Sequence, residues 1–209
     1  MIELFNIDCM EYMKGLEDNA FELAIVDPPY GIGESGGKDR RGKSKHKKKE
    51  WDNATPNLQY FKDLKRISKH QIIWGANYFP EMLQSSMGWV CWDKKLDNSD
   101  FSDFELAFTS FNVGAKIFRH SKNGGSRTSA AQADIVHPCQ KPVKLYEWLL
   151  SNYAKEGDRI LDTHLGSGSS AIAAHYGGFD FVGCELDQDY FKAAQARFDK
   201  ETAQLDIFQ

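Results

Sequence analysis

Three apolar runs along the chain each lead to an acidic residue. Residues 21–27 are Phe-Glu-Leu-Ala-Ile-Val-Asp, residues 159–165 carry Asp162 within an apolar stretch, and residues 181–184 run into Glu185. Short apolar runs bounded by turn signals read as buried strands. Further strands are expected over residues 2–7, 71–75 and 88–93, with a strand pair over 104–111 and 115–119. Helical spacing predicts helices over residues 10–16, 58–67, 142–153, 171–176 and 188–201, with a short one between the strands at 71–75 and 88–93. This alternation implies an α/β sheet with helices on both faces. Trp74 and Trp92 are expected in the core.

The chemistry concentrates where these strands end. Asp27-Pro28-Pro29-Tyr30 follows the second strand. Pro29 has no N–H and restricts Pro28, so the turn is stiff. It presents a carboxylate, a carbonyl and a flat ring together. That set suits a planar heterocycle with an exocyclic amine, although short motifs carry false positives and a plain rigid turn has the same composition. Gly166-Ser167-Gly168-Ser169-Ser170 follows residues 159–165 and opens a helix, and Glu185 closes the next strand. A glycine turn before a helix, with an acid one strand later, is a nucleoside-cofactor arrangement. The glycines admit a close ligand, and the acid accepts from ribose hydroxyls.

The chain has 209 residues, 41% of them hydrophobic, which suits a single domain over residues 1–209 with a sizeable core. No apolar run reaches the roughly 18 residues of a membrane span, and the first residues lack a signal peptide's pattern. Cys9, Cys91, Cys139 and Cys184 form no C-x-x-C pair, and no histidine pair has metal-ligand spacing, so no metal is expected. Unpaired cysteines fit a reducing cytoplasm. The formal net charge is −4, but it is unevenly spread. Lys38, Arg40, Arg41, Lys43, Lys45, Lys47, Lys48 and Lys49 stand against Asp39 alone, giving +7 in that window and leaving −11 on the rest. The run lies within a glycine- and lysine-rich stretch, residues 31–56, expected to be a mobile basic loop beside the Asp27 turn. Such a segment is either a solvated loop or an arm for phosphates.

With both motifs in place, the chain resembles the DNA methyltransferases that act on exocyclic amines of bases, in the circularly permuted (beta-class) arrangement. In that order the catalytic tetrapeptide comes first and the cofactor glycine loop last. His137-Pro138-Cys139-Gln140-Lys141-Pro142 matches the family's box before the cofactor loop, and Asn6-Ile7-Asp8-Cys9 its adenine-side acidic segment. Phage-type adenine methyltransferases are similar along nearly all of the chain, including residues 71–79. The family's usual proline and aromatic after the loop acid are Thr163 and His164 here.

The resemblance implies a Rossmann-like methyltransferase sheet and S-adenosylmethionine as methyl donor. It assigns catalysis to Asp27, Pro28, Pro29 and Tyr30. Cofactor contacts would come from Asp8, Cys9, Asp27, Lys141, Asp162, His164, Leu165, Gly166, Ser167, Gly168, Ser169, Glu185 and Leu186. Asp8 is equally suited to cap the helix that follows it, and His137 is better read as holding its box together than as a catalytic group. The partner would be double-stranded DNA with a flipped target base. Target recognition would map to residues 94–134, with Lys94, Lys95, Asn98, Arg119, Lys122, Asn123 and Arg127 as contacts, most of them to phosphates. So small a region fits a short site, loose specificity or a homodimer. Aspartate at the first tetrapeptide position favours N6 of adenine over N4 of cytosine. A nicotinamide-dependent oxidoreductase is the competing class, since Gly166-x-Gly168-x-x-Ala171 with Glu185 fits that fingerprint. It leaves the Asp27 motif unused and only 24 residues after Glu185. A catalytically dead DNA-binding relative is a third reading, against which the intact tetrapeptide speaks.

Overall fold

The computed structural model describes residues 1–33, 49–96, 102–121 and 135–203. Most of the basic window, and Asn98, Lys122, Asn123 and Arg127 of the expected recognition region, lie outside the described residues. In chain order the elements are β1 (Ile2–Phe5), α1 (Cys9–Lys14), β2 (Phe21–Val26), α2 (Leu58–Ile67), β3 (Ser68–Trp74), β4 (Trp89–Asp93), β5 (Phe104–Thr109), β6 (Lys116–Arg119), α3 (Val143–Tyr153), β7 (Arg159–Asp162), α4 (Ser169–Tyr176), β8 (Asp180–Cys184) and α5 (Gln188–Ala203). Two 3-10 turns, Ala76–Tyr78 and Pro80–Met82, fill the place of the expected short helix between β3 and β4.

The eight strands form one sheet in the order β1-β8-β7-β2-β3-β5-β4-β6. β5 runs antiparallel to both neighbours, β3 and β4, and every other pairing is parallel. The expected pair over residues 104–111 and 115–119 exists as two strands, β5 and β6, that do not pair with each other. β4 lies between them, pairing Trp92 with Glu105 on one side and with Phe118 on the other.

β2 reads as a nearly continuous apolar run because both of its faces are covered, as in parallel sheets generally. Leu23 and Ile25 point into a core with Leu145, Leu149, Ala171 and Ala194, from α3, α4 and α5. Phe21, Ala24 and Val26 point the other way, into a core with Met13 of α1 and Tyr60, Phe61 and Leu64 of α2. Trp74 and Trp92 are fully buried, and their rings meet edge to face at 6.5 Å.

β2 and β7 are adjacent, and the chain leaves them in opposite directions across the sheet. β2 leads through α2 to β3, while β7 leads through α4 to β8. The helices cover opposite faces, so a crevice opens at the carboxyl ends of β2 and β7. Open α/β sheets bind ligands at such a switch point.

Candidate active site

Asp27 follows the last residue of β2 and is held by two neighbours. Lys141 Nζ lies 2.5 Å from Asp27 Oδ2, and the Tyr30 hydroxyl donates to Oδ1 at 2.5 Å. Lys141 also pairs with Glu105 Oε2 of β5 at 3.1 Å, and Lys94 Nζ with Glu105 Oε1 at 2.8 Å. Burial raises the Asp27 carboxyl above its ordinary value, against the pull of Lys141. Burial acts the same way on Glu105, but its two lysines overturn it and hold the carboxyl at about 2.

The turn itself is fastened from a distance. Asp52 is 2% exposed, and its Oδ1 accepts both the Tyr30 N–H at 2.7 Å and the Gly31 N–H at 2.8 Å. The Tyr30 ring stacks on Tyr78 at 5.0 Å and 15°. The sequence reading left that ring free beside two acceptors. In the structure it is stacked, and its hydroxyl occupies one of those acceptors, Asp27 Oδ1. A carboxylate removed from water takes whatever donor lies near.

The glycine loop follows β7 on the neighbouring strand. Gly166 and Gly168 adopt φ of 53° and 76°, a region that side chains disfavour. Glu185 accepts the Gly166 N–H through Oε2 and the Asp187 N–H through Oε1, each at 2.9 Å. Leu165 donates its N–H to Cys184 O at 2.9 Å, so loop and strand end are tied. Arg197 of α5 donates to Ser167 O at 2.9 Å and to Ser169 Oγ at 2.8 Å. Ser169 Oγ in turn donates to the Lys141 carbonyl at 2.7 Å. Lys141 therefore touches the loop with its backbone and Asp27 with its side chain.

Asp162 is 1% exposed and accepts from the His164 N–H at 3.0 Å and Ser170 Oγ at 2.6 Å. Both donors are neutral, and no described cation pairs with it. Burial raises its carboxyl to about 7. His164, where the family has an aromatic, is lowered to about 4 by burial and stays neutral, with Nδ1 at 2.9 Å from Thr163 Oγ1. Thr163 also meets the Tyr60 hydroxyl at 2.7 Å, which gives both polar replacements a partner.

After β1 the chain follows β8 for one more bond, Ile7 N–H to Glu185 O at 3.1 Å, and Asn6 Nδ2 caps the same carbonyl at 2.8 Å. This brings Asp8, Cys9 and Ile7 beside Glu185 and Leu186. Asp8 caps α1 by accepting the Met10 N–H at 2.7 Å. The Cys9 thiol is pushed up to about 12 by burial and Asp8. Ile7 and Leu186 are 36% and 68% exposed. His137 packs edge-on against Tyr190 at 4.4 Å and near Trp51 at 5.3 Å, and its Nδ1 accepts the Cys139 N–H at 3.3 Å. That matches a bracing role for its box.

Two expected DNA contacts differ from expectation. Lys94 is 7% exposed and committed to Glu105, so it is not a surface contact. Lys49, the last residue of the basic window, binds Asp187 Oδ1 at 2.5 Å and Asp189 Oδ2 at 3.0 Å. Arg119 is exposed and lies 3.4 Å from Asp93. Among the described residues no cluster of His, Cys, Asp or Glu is arranged to hold a metal, and no helix is long and apolar enough to cross a membrane.

Known proteins resemble this chain in sequence and in fold. Type II methyltransferase M.HpaI of Haemophilus parainfluenzae is 26% identical over 93% of this chain and 73% of its own. The crystal structure of the M1.HpyAVI–SAM complex superposes with a TM-score of 0.61 at 18% identity, over 95% of this chain and 100% of that one. The cytosine-N4-specific PvuII DNA methyltransferase superposes with a TM-score of 0.65 at 13% identity, over 97% and 90%. The N6/N4 DNA methylase family model matches residues 44–196, from within the basic window through the glycine loop to α5. This sets aside the oxidoreductase reading: the chain belongs to the DNA methylase family.

Proposed function

We propose that this methyltransferase transfers a methyl group from S-adenosylmethionine to the exocyclic N6 amine of an adenine flipped out of double-stranded DNA, and that it belongs to the permuted class. The supporting observation is the placement of Asp27. It directly follows β2, next to the strand that ends in Asp162 and leads into the glycine loop, at the sheet's switch point.

The residues around the loop fit the donor. Asp162 is a buried carboxylate without a cation, suited to an amino-acid ammonium. Glu185 keeps lone pairs for ribose hydroxyls, and the exposed Ile7 and Leu186 offer apolar surface to a purine beside Asp8. Gly166, Ser167, Gly168, Ser169, Leu165, His164 and Cys9 line the remaining sides. When bound, the donor supplies a methyl on a sulfonium, already a good leaving group.

A base amine is a poor nucleophile because its lone pair is shared with the ring. Asp27 Oδ1 and the Pro28 carbonyl accept its two hydrogens, and the nitrogen becomes pyramidal with its lone pair free. The lone pair forms the N–C bond, and the C–S electron pair returns to sulfur. The nitrogen then carries positive charge and loses one proton toward Asp27 and solvent. Positioning for in-line attack supplies most of the rate, and the carboxylate stabilises the developing charge. The amine takes Oδ1 over from the Tyr30 hydroxyl, while the base takes the place of the exposed Tyr78 on the ring. Such stacking contributes about 1–3 kcal/mol, against a flipping cost of a few kcal/mol.

DNA is held by residues 94–134 and by the basic window, whose remaining lysines meet phosphates without reading bases. The chain acts as a single domain in the cytoplasm. Incubating the purified protein with DNA and S-adenosylmethionine, then digesting to nucleosides for mass spectrometry, should yield N6-methyldeoxyadenosine. N4-methyldeoxycytidine alone would overturn the adenine reading.

A further inference from the structure

Four buried or partly buried charged side chains run in a line that ends at the tetrapeptide's Asp27. Lys94 pairs with Glu105 at 2.8 Å, Glu105 with Lys141 at 3.1 Å, and Lys141 with Asp27 at 2.5 Å. Their side chains are 9%, 21%, 3% and 17% exposed in that order. Two cations balance two carboxylates. Buried ion pairs of this kind are often no more stable than an apolar replacement, so stability is a weak reason to keep them. Of the outer pair, Lys94 follows β4 directly and Glu105 lies on β5, both outside every motif, and Lys94 N–H donates to Asp103 O at 2.9 Å just beyond the strand pairing.

We propose that Glu105 is a positioning residue for methyl transfer, holding the Lys141 ammonium against one oxygen of Asp27 so that the other oxygen is left for the target amine. The proposal rests on the reading of Asp27 as the amine's acceptor. Glu105 also shares the charge of Lys141. Asp27 stays ionised beside its cation, yet it remains basic enough to stabilise an amine that is gaining charge. Without Glu105 the whole ammonium charge would fall on Asp27 and weaken it as an acceptor. Without Lys141 two buried carboxylates would face each other.

The two losses move Asp27 in opposite directions. The groups that face it are Lys141 before α3, Glu105 on β5, Tyr30 on its own turn, Asp162 at the end of β7, Tyr60 on α2 and Tyr146 on α3. The tyrosines are neutral, pushed up by burial. Glu105 raises Asp27 and Lys141 lowers it. Turnover requires ionised Asp27, so the acidic limb of the kcat profile reports its state.

The test measures single-site DNA methylation against pH for the wild type and for the Glu105→Gln, Lys141→Met, Lys94→Met and Asp27→Ala variants, with calorimetry of S-adenosylmethionine binding. Glu105→Gln should lower kcat at least tenfold, leave cofactor affinity within threefold and move the acidic limb to lower pH. Lys141→Met should move the limb to higher pH. Lys94→Met, which leaves Asp27 and Lys141 in place, should move it upward by less, and it carries the test if Glu105→Gln does not fold. An unmoved limb in Glu105→Gln and Lys94→Met, with Asp27→Ala inactive, would overturn the proposal and leave the functional reading standing. Turnover retained in Asp27→Ala would overturn that reading first.

Discussion

Gly75 and Tyr30 compete for one space: a β-carbon added to Gly75 would lie 2.0 Å from Cε1 of the Tyr30 ring. Gly75 directly follows β3 with φ of 67°, and its N–H donates to Leu106 O at 2.9 Å, so this backbone is fixed in place. The aromatic platform of the tetrapeptide therefore lies on bare backbone from the next strand. A Gly75→Ala variant adds a left-handed strain of about 1–2 kcal/mol and must also displace the ring. We expect methylation to fall at least about a hundredfold while S-adenosylmethionine binding stays within threefold, because Gly75 is remote from the glycine loop. Turnover assays and calorimetry on the same preparation check both.

Asp52 ties the turn from the far side of the basic segment. Asp52→Ala would leave the Tyr30 and Gly31 N–H groups without the oxygen they share. A buried donor left unsatisfied costs about 1–3 kcal/mol. The melting temperature should drop by several degrees, and kcat should drop with it. Asp52→Asn keeps an acceptor oxygen and should retain most of the stability. Scanning calorimetry of the two variants separates the lost acceptor from the lost charge.

Asp162 makes the free protein pH-sensitive. Its folded carboxyl stands at about 7 against an ordinary 3.8, chiefly from burial. The folded state thus holds a proton that the unfolded chain releases, and stability falls as pH rises from about 4 to 7. Asp162→Asn should flatten that slope in denaturant titrations. A cationic ligand restores the ionised form, so S-adenosylmethionine binding near pH 6 should release protons. Calorimetry in buffers of different ionisation enthalpy reads that release directly, and Asp162→Asn should abolish it.

Local chemistry was legible in the sequence, and long-range pairing was not. The Asp27 turn, the glycine loop and the Asp8 cap are each set by residues within a few positions, and all three form where expected. The strands could be read because burial on both faces leaves unbroken apolar runs such as residues 23–26. Asp52 and Glu105 were missed. Asp52 reaches Tyr30 across 22 positions, and Glu105 meets Lys141 only because β5 inserts beside β3 in reverse. Nothing local marks either residue. Lys94 was misplaced on the surface for the same reason. A lysine just past a strand looks solvated until its partner on the adjacent strand is known.

The central claim is that Asp27 accepts the target amine during transfer. Methylation by Asp27→Ala, followed by nucleoside mass spectrometry with S-adenosylmethionine binding measured in parallel, tests it most directly. The account predicts N6-methyldeoxyadenosine from the wild type, none from the variant, and cofactor affinity within about tenfold, because the carboxylate serves mainly the transition state. Near-normal methylation by Asp27→Ala would contradict it.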